Sequence, residues 1–121
     1  VPRKYSLKYK IDFDYLFKNG IRKKSQNFSI VICDSNEFKV AFIVSKKNIP
    51  KANRRIYSKR VAREIFRKEI LDNISKYKKF IAITINTDLK EFIKSNSFSI
   101  IKSELVELLK QINFDLPTKR R

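Results

Sequence analysis

The sequence predicts a single α+β domain, a small sheet packed with helices, and three observations carry that expectation. The chain has 121 residues, a length that suits one compact unit, and hydrophobic residues make up 42% of it. Ten Phe and five Tyr set it apart from a disordered basic tail, and one Gly and three Pro leave little room for linkers. Three segments alternate with the period of a strand and three repeat with the period of a helix.

Asp12 is placed to cap a short helix, with Phe13, Leu16 and Phe17 on one face, and Asn19-Gly20 ends it. Gly20, the only glycine, is the residue available for a left-handed turn there. Residues 21–27 are polar and basic and read as loop. Residues 28–33 and 38–45 read as strands around the turn cluster Asp34-Ser35-Asn36, and are expected to pair as an antiparallel hairpin. Phe28, Ile30 and Ile32 point to one side and Ser29, Val31 and Cys33 to the other. Phe38, Val40, Phe42 and Val44 are bulky, Ala41 and Ser45 are small, and Ile43 stands between those two. One face is core; the other is a shallow groove floor or a second, thinner packing layer.

Residues 46–53 form a basic loop containing Pro50, followed by one long helix over 53–74. At 100° per residue, Val61, Ala62, Ile65 and Phe66 fall in one arc, and Lys59, Arg60, Arg63 and Arg67 in the next. Residues 80–86 make a third strand, with Ile81, Ile83 and Ile85 opposite Ala82 and Thr84. A polar loop leads to a last helix over 98–113, on which Ile101, Leu105, Leu108, Leu109 and Ile112 follow the helical repeat. The order is α-β-β-α-β-α in one domain over 1–121, without internal repeats, and residues 1–4 and 115–121 are expected to fray.

Charge narrows the function. Lys and Arg number 29 against 12 Asp and Glu, a formal +17, which a polyanion must neutralise. Nucleic acid is the first candidate and an anionic membrane surface the second. No apolar run approaches the roughly 20 residues of a membrane helix, and the first residues hold no signal-peptide core. A single cysteine, Cys33, and no His exclude an internal disulfide and argue against zinc, and suit a reducing cytoplasm.

The strongest constellation is the basic helix. Lys59, Arg63 and Arg67 recur every four residues beside Arg60, roughly 6 Å apart per turn, a repeat close to that of a nucleic-acid backbone. Arg suits this task because its planar fork takes phosphate oxygens two at a time. Lys46, Lys47, Lys51, Arg54 and Arg55 extend the charge into the preceding loop. The plain alternative, a solvated face, would mix signs, and only Glu64 and Glu69 flank this stripe. Tyr9, Phe13 and Phe17 form an aromatic group beside basic residues: a stacking platform for unpaired bases, or ordinary core. No catalytic group is apparent. His is absent, Asp12 and Asp14 do not share a helical face, Glu104 and Glu107 read as solvated, and Cys33 reads as a buried inert thiol.

The stretch 45–67 resembles the signature of the bacterial ribonuclease P protein subunit. That family shows Ser-Lys-Lys at a strand end and, after about ten residues, Arg-Asn-Arg, Lys-Arg and Arg-x-x-Arg-Glu-x-Phe-Arg on a helix. Ser45-Lys46-Lys47, Lys59-Arg60, Arg63-Glu64, Phe66 and Arg67 match in type, order and spacing. The short helix with Asp12, Phe13 and Phe17, closed by Gly20, is similar to the family's first helix. Arg55-Ile56-Tyr57 stands where the family has Arg-Asn-Arg, so one arginine of that motif is kept, with Arg54 next to it.

The resemblance implies a division of labour. A large RNA cleaves the 5′ leader from precursor tRNA with Mg²⁺ held by that RNA, and the protein docks on it. Lys46, Lys47, Arg55, Lys59, Arg60, Arg63 and Arg67 become the residues expected to bind the catalytic RNA. Tyr9, Phe13, Phe17, Ser29, Val31, Ile43 and Ser45 become those expected to line the leader cleft. It further implies an enzyme subunit without its own active site, monomeric in the complex, and a left-handed β-α-β crossover where right-handed ones dominate. The rival readings are a ribosomal-type structural RNA binder without a processing role, and a nuclease acting alone.

Overall fold

The structure, a computed structural model, describes the backbone of residues 3–115 and the side chains of residues 3–111. After a 3₁₀ turn at Arg3–Tyr5, the elements are α1 (Lys10–Asn19), β1 (Ile21–Lys24), β2 (Phe28–Asp34), β3 (Lys39–Val44), α2 (Ala52–Glu69), α3 (Leu71–Ile74), β4 (Lys79–Ile85), α4 (Leu89–Ser95) and α5 (Phe98–Asp115). The six expected elements are present, in an α+β fold with one four-stranded mixed sheet. Two elements are additional, β1 and α4, and the long helix divides at Ile70, where φ −127° and ψ −38° leave the helical region. The break lets Ile70, Leu71 and Ile74 all reach the core. Ile112 and residues 116–121 lie outside the described side chains and backbone respectively.

The expected hairpin between residues 28–33 and 38–45 does not form. The sheet order is β1-β2-β4-β3, with β4 antiparallel to β2 and parallel to β3. The reason lies in burial. Phe80, Ile81, Ala82, Ile83 and Ile85 are all buried, so β4 is covered on both faces and belongs inside the sheet. The segment 35–38 therefore carries the chain past the end of β4, a gap of about 10 Å at two strand spacings. The Ser35 N–H donates to the Lys78 carbonyl at 2.9 Å, and the Lys79 ammonium pairs with Asp34 at that end. The hairpin partner of β2 is instead β1, a cationic edge strand where a loop was expected. The parallel β3–β4 pair is joined through α2 and α3, which makes the β-α-β unit.

One sheet face carries Phe28, Ile30, Ile32, Val40, Ile81, Ile83 and Ile85, and packs against Ala62, Ile65 and Phe66 of α2 and Ile101, Leu105, Leu108 and Leu109 of α5. Phe66 stacks on Phe38 at 6.4 Å and meets Phe42 edge-on at 5.6 Å. The other face carries a smaller core: Leu16 and Phe13 of α1 with Leu7, Val31, Cys33, Phe80, Ala82, Ala41 and Ile43. Burial, then the Asp34 charge, pushes the Cys33 thiol up, in keeping with an inert thiol.

Several local expectations change. Tyr9, not Asp12, is the N-cap of α1, and it makes no side-chain cap bond; Asp12 sits in the first turn. Gly20 is extended, at φ −78° and ψ 153°, not left-handed. Glycine is needed there for space: a Cβ would press on Val31 Cγ1 and lie 2.6 Å from the Leu16 carbonyl oxygen. Residues 3–5 form the 3₁₀ turn, where the Lys39 ammonium donates to the Lys4 carbonyl at 2.6 Å, and the Leu7 N–H donates to the Val40 carbonyl at 3.0 Å. Glu104 is not a solvated acid. It accepts from the Ser25 hydroxyl at 2.5 Å, the Asn27 N–H at 2.6 Å and the Asn27 amide at 2.7 Å, and so clamps the β1–β2 turn to α5.

Candidate nucleic-acid interface

The basic face of α2 exists because the opposite face is consumed by the core. Ala62, Ile65 and Phe66 turn inward, which leaves Arg60, Arg63 and Arg67 exposed and Lys59 half-exposed. Lys59, Arg60 and Arg63 have no ion-pair partner among the described residues. With Val44, Ala52, Arg55 and Ile56 they line a groove of about 450 Å³. Lys46 and Lys47 are exposed in the turn that follows β3.

Two predicted members behave differently. The Arg67 guanidinium donates to Glu64 at 2.8 Å, one turn back, and that hydrogen bond holds Glu64 below the usual carboxylate range. Arg55 folds back on the loop and donates to the carbonyls of Ile49 at 3.0 Å and Pro50 at 2.7 Å. It shapes the loop that carries Lys46 and Lys47, with part of its fork left over. Arg54 does not supply the missing charge of Tyr57, because Asp88 at 2.9 Å and Glu91 at 3.0 Å take it.

The aromatic site is a cleft of about 460 Å³ between α1 and β3, lined by Arg3, Ser6, Leu7, Phe13, Val40, Ala41, Phe42, Ile43 and Arg63. Phe13 and Ile43 stand in it. Phe17 stacks on Phe13 at 6.2 Å and has the Arg22 guanidinium 5.6 Å from its ring. Tyr9 is exposed beside the start of α1. Val31 is a correction: at 5% exposure it lies within the core beneath α1, not on a groove floor. Ser45 is half-exposed at the end of β3, and its hydroxyl accepts the Asn48 N–H at 3.2 Å, which leaves its own O–H to donate.

The open floor is read from the register. Lys24, Ser29, Thr84 and Ile43 lie side by side across β1, β2, β4 and β3, so all four face the α1 side of the sheet. Ser29, Thr84 and Ile43 are half-exposed, whereas Val31 and Ala82 in the next row are covered. Asn86 adds an amide that donates to the Ser29 hydroxyl at 2.8 Å. Sequence reading placed Thr84 on the small face but not in the site, and it set Arg3 aside with the terminus.

Arg63 lines both the groove and the cleft, and its guanidinium lies 6.0 Å from the Phe42 ring. The two surfaces are therefore continuous. A cation-lined groove suits a phosphate backbone, and a cleft with aromatic and small polar groups suits unpaired nucleotides. Among the described residues no three carboxylate or thiol groups converge to hold a metal ion, and no helix is long and apolar enough to cross a membrane.

The family model for Ribonuclease P matches residues 1–113. The RNase P protein of Thermotoga maritima superposes with a TM-score of 0.73 at 26% identity, covering 88% of this chain and 96% of that one. A Staphylococcus aureus RNase P protein mutant with defective mRNA degradation activity gives a TM-score of 0.73 at 23% identity, covering 92% and 90%. A second Staphylococcus aureus RNase P protein structure gives 0.71 at 24%, covering 89% and 94%. No curated protein sequence shows significant similarity to the chain. The match over nearly the whole length, on a fold that carries a cationic groove beside an aromatic cleft, places the chain in the ribonuclease P protein family.

Proposed function

We propose that this protein holds the two RNA partners of ribonuclease P side by side: the catalytic RNA in the groove along α2 and the 5′ leader of precursor tRNA in the cleft between α1 and the sheet. The continuity of the two surfaces through Arg63 carries this reading. Lys59, Arg60 and Arg63 meet phosphates of the catalytic RNA, with Lys46 and Lys47 from the adjoining turn. The leader lies over Ser29, Thr84 and Ile43 with Phe13 as its wall. Recognition there is by shape, stacking and charge, which suits a leader of variable sequence.

Bond cleavage is left to the RNA and its Mg²⁺, as the family membership suggests. One protein copy serves each complex, in the cytoplasm. Its contribution is to neutralise charge and to raise substrate affinity, which lowers the Mg²⁺ the RNA needs.

Reconstitution tests the proposal. Added to a bacterial ribonuclease P RNA at limiting Mg²⁺, the protein should accelerate removal of the leader. RNA-free protein should leave the same substrate intact. No acceleration, or specific cleavage without RNA, overturns the reading.

A further inference from the structure

The side of α2 that faces α4 carries a second recess, of about 300 Å³, lined by Asn53, Arg54, Ile56, Tyr57 and Arg60 of α2 and Lys90 of α4. Its geometry is fixed from below. The Ser58 hydroxyl, wholly buried, accepts the Leu89 N–H at 3.0 Å. Asp88 caps α4 by accepting the N–H groups of Lys90 at 3.1 Å and Glu91 at 3.3 Å, and Arg54 ties Asp88 and Glu91 to α2. Lys94, 3.6 Å from Glu91, supplies the second positive charge, so Arg54 and Lys94 together balance both acids beside Lys90, and the Arg54 hydrogen bond holds Glu91 below the usual carboxylate range.

What remains in the recess is donor chemistry. The Lys90 ammonium stands 5.6 Å from the centre of the Tyr57 ring, held by attraction between the cation and the ring face. Among the described residues the side chains of Lys90, Arg60 and Asn53 have no hydrogen-bond or ion-pair partner. An ammonium, a guanidinium and a carboxamide converge with no unneutralised carboxylate, which is the environment of a phosphate group. Arg60 and Ile56 line both this recess and the groove that holds Lys59 and Arg63, so the cationic path runs on without a gap.

We propose that Lys90 and Arg60 hold a backbone phosphate of the catalytic RNA in this recess, with Tyr57 as the positioning residue that keeps the Lys90 ammonium in place. This rests on the RNA-docking function proposed above and extends the RNA footprint from α2 onto α4.

The test measures the affinity of the full chain for ribonuclease P RNA over a series of salt concentrations. Lys90→Ala should weaken binding about tenfold and flatten the slope of log K against log salt by about one unit, while Lys90→Arg retains both. Tyr57→Phe keeps the ring and should bind like the parent. Tyr57→Ala should lose about as much as Lys90→Ala, and the double variant little more than either. Lys90 is exposed, so its variants keep the fold and decide the matter even where Tyr57→Ala does not fold. Unchanged affinity and slope in Lys90→Ala, beside a clear loss in Arg63→Ala, overturn this site and leave the proposed function standing. No loss in either overturns the proposed function itself.

Discussion

Among the described residues Glu64 is the acid that holds a cation of the basic stripe on α2, and its partner Arg67 is the last member of that stripe. The pair is about half exposed on both sides, so it is worth little to the fold. With the catalytic RNA docked on α2 as proposed, its effect on binding should exceed that on stability, because a phosphate must displace the carboxylate. Glu64→Gln should therefore tighten RNA binding by about two- to fivefold, the exchange value of an exposed pair, with melting nearly unchanged. The pH dependence has a definite sign. The folded pKa of Glu64 is depressed, so the small stability of the pair is present above the ordinary glutamate range and lost as pH falls below that range, through the lower folded pKa. Acidification below the ordinary glutamate range frees Arg67, and the Gln variant should bind RNA with less pH dependence than the parent between about pH 5 and 3. Binding isotherms at the two pH values check both statements. Gly20 gives a contrasting case, where the argument is space alone. With its extended backbone any residue is allowed by φ, but a Cβ meets the Val31 side chain and the Leu16 carbonyl. Gly20→Ala should destabilise the protein by about 1–3 kcal/mol through overpacking and shift α1, weakening leader binding in the cleft. A denaturant titration measures the first effect and a leader-length series the second.

At the scale of elements, one side chain joins two distant pieces of chain. Glu104 of α5 satisfies Ser25 and Asn27 in the β1–β2 turn with three hydrogen bonds, two of them to groups of a residue that is 1% exposed. Glu104→Ala leaves those donors unpaired and should cost about 2–4 kcal/mol, while Glu104→Gln, which keeps an acceptor, should cost less. Equal losses in thermal melts would mean that volume, not hydrogen bonding, is at stake. This contact shows why part of the fold was not legible in the sequence. Glu104 looks like any polar residue on the outer face of an amphipathic helix, and its partners lie nearly eighty positions away. The sheet order hid for the same reason: β2 and β3 are neighbours in sequence, and only the two-faced burial of β4 separates them. β1 has no alternation of its own to read, being Ile-Arg-Lys-Lys on an edge that β2 supplies. By contrast α4 was legible and overlooked. Asp88 caps it, Glu91 follows three residues on, and Leu89, Phe92 and Ile93 hold the i, i+3, i+4 pattern. The helix wheel of α2 needed no such correction, because its inward and outward arcs are set by local periodicity alone. Within the cleft, alternation placed Ser29 and Ile43 on the correct side, but it could not say which row α1 covers, and so included Val31.

For the whole molecule the governing quantity is the formal charge of +17 on 121 residues. In the free protein these cations repel one another, most strongly along α2, where Lys59, Arg60 and Arg63 lack acidic partners among the described residues. Screening by salt weakens that repulsion, since the Debye length falls from about 30 Å at 0.01 M to about 10 Å at 0.1 M. The melting temperature of the free chain should therefore rise with salt over this range. Binding must respond in the opposite direction. Each phosphate that a Lys or Arg neutralises releases a counterion, and log K falls with log salt by roughly 0.7–0.9 per contact. Five to six contacts, from Lys46, Lys47, Lys59, Arg60 and Arg63 with Lys90 added by the recess, give a slope of about −4 to −5. Removing any one of these cations should reduce the magnitude of the slope by about one contact's share and raise the melting temperature slightly at low salt, since each deletion relieves repulsion. The same groups would thus weaken the free fold and strengthen the complex. Parallel salt series of melting and RNA binding on the parent and on Arg63→Ala would settle this. A free protein whose stability falls with salt, or a binding slope near zero, would remove the electrostatic basis of the interface.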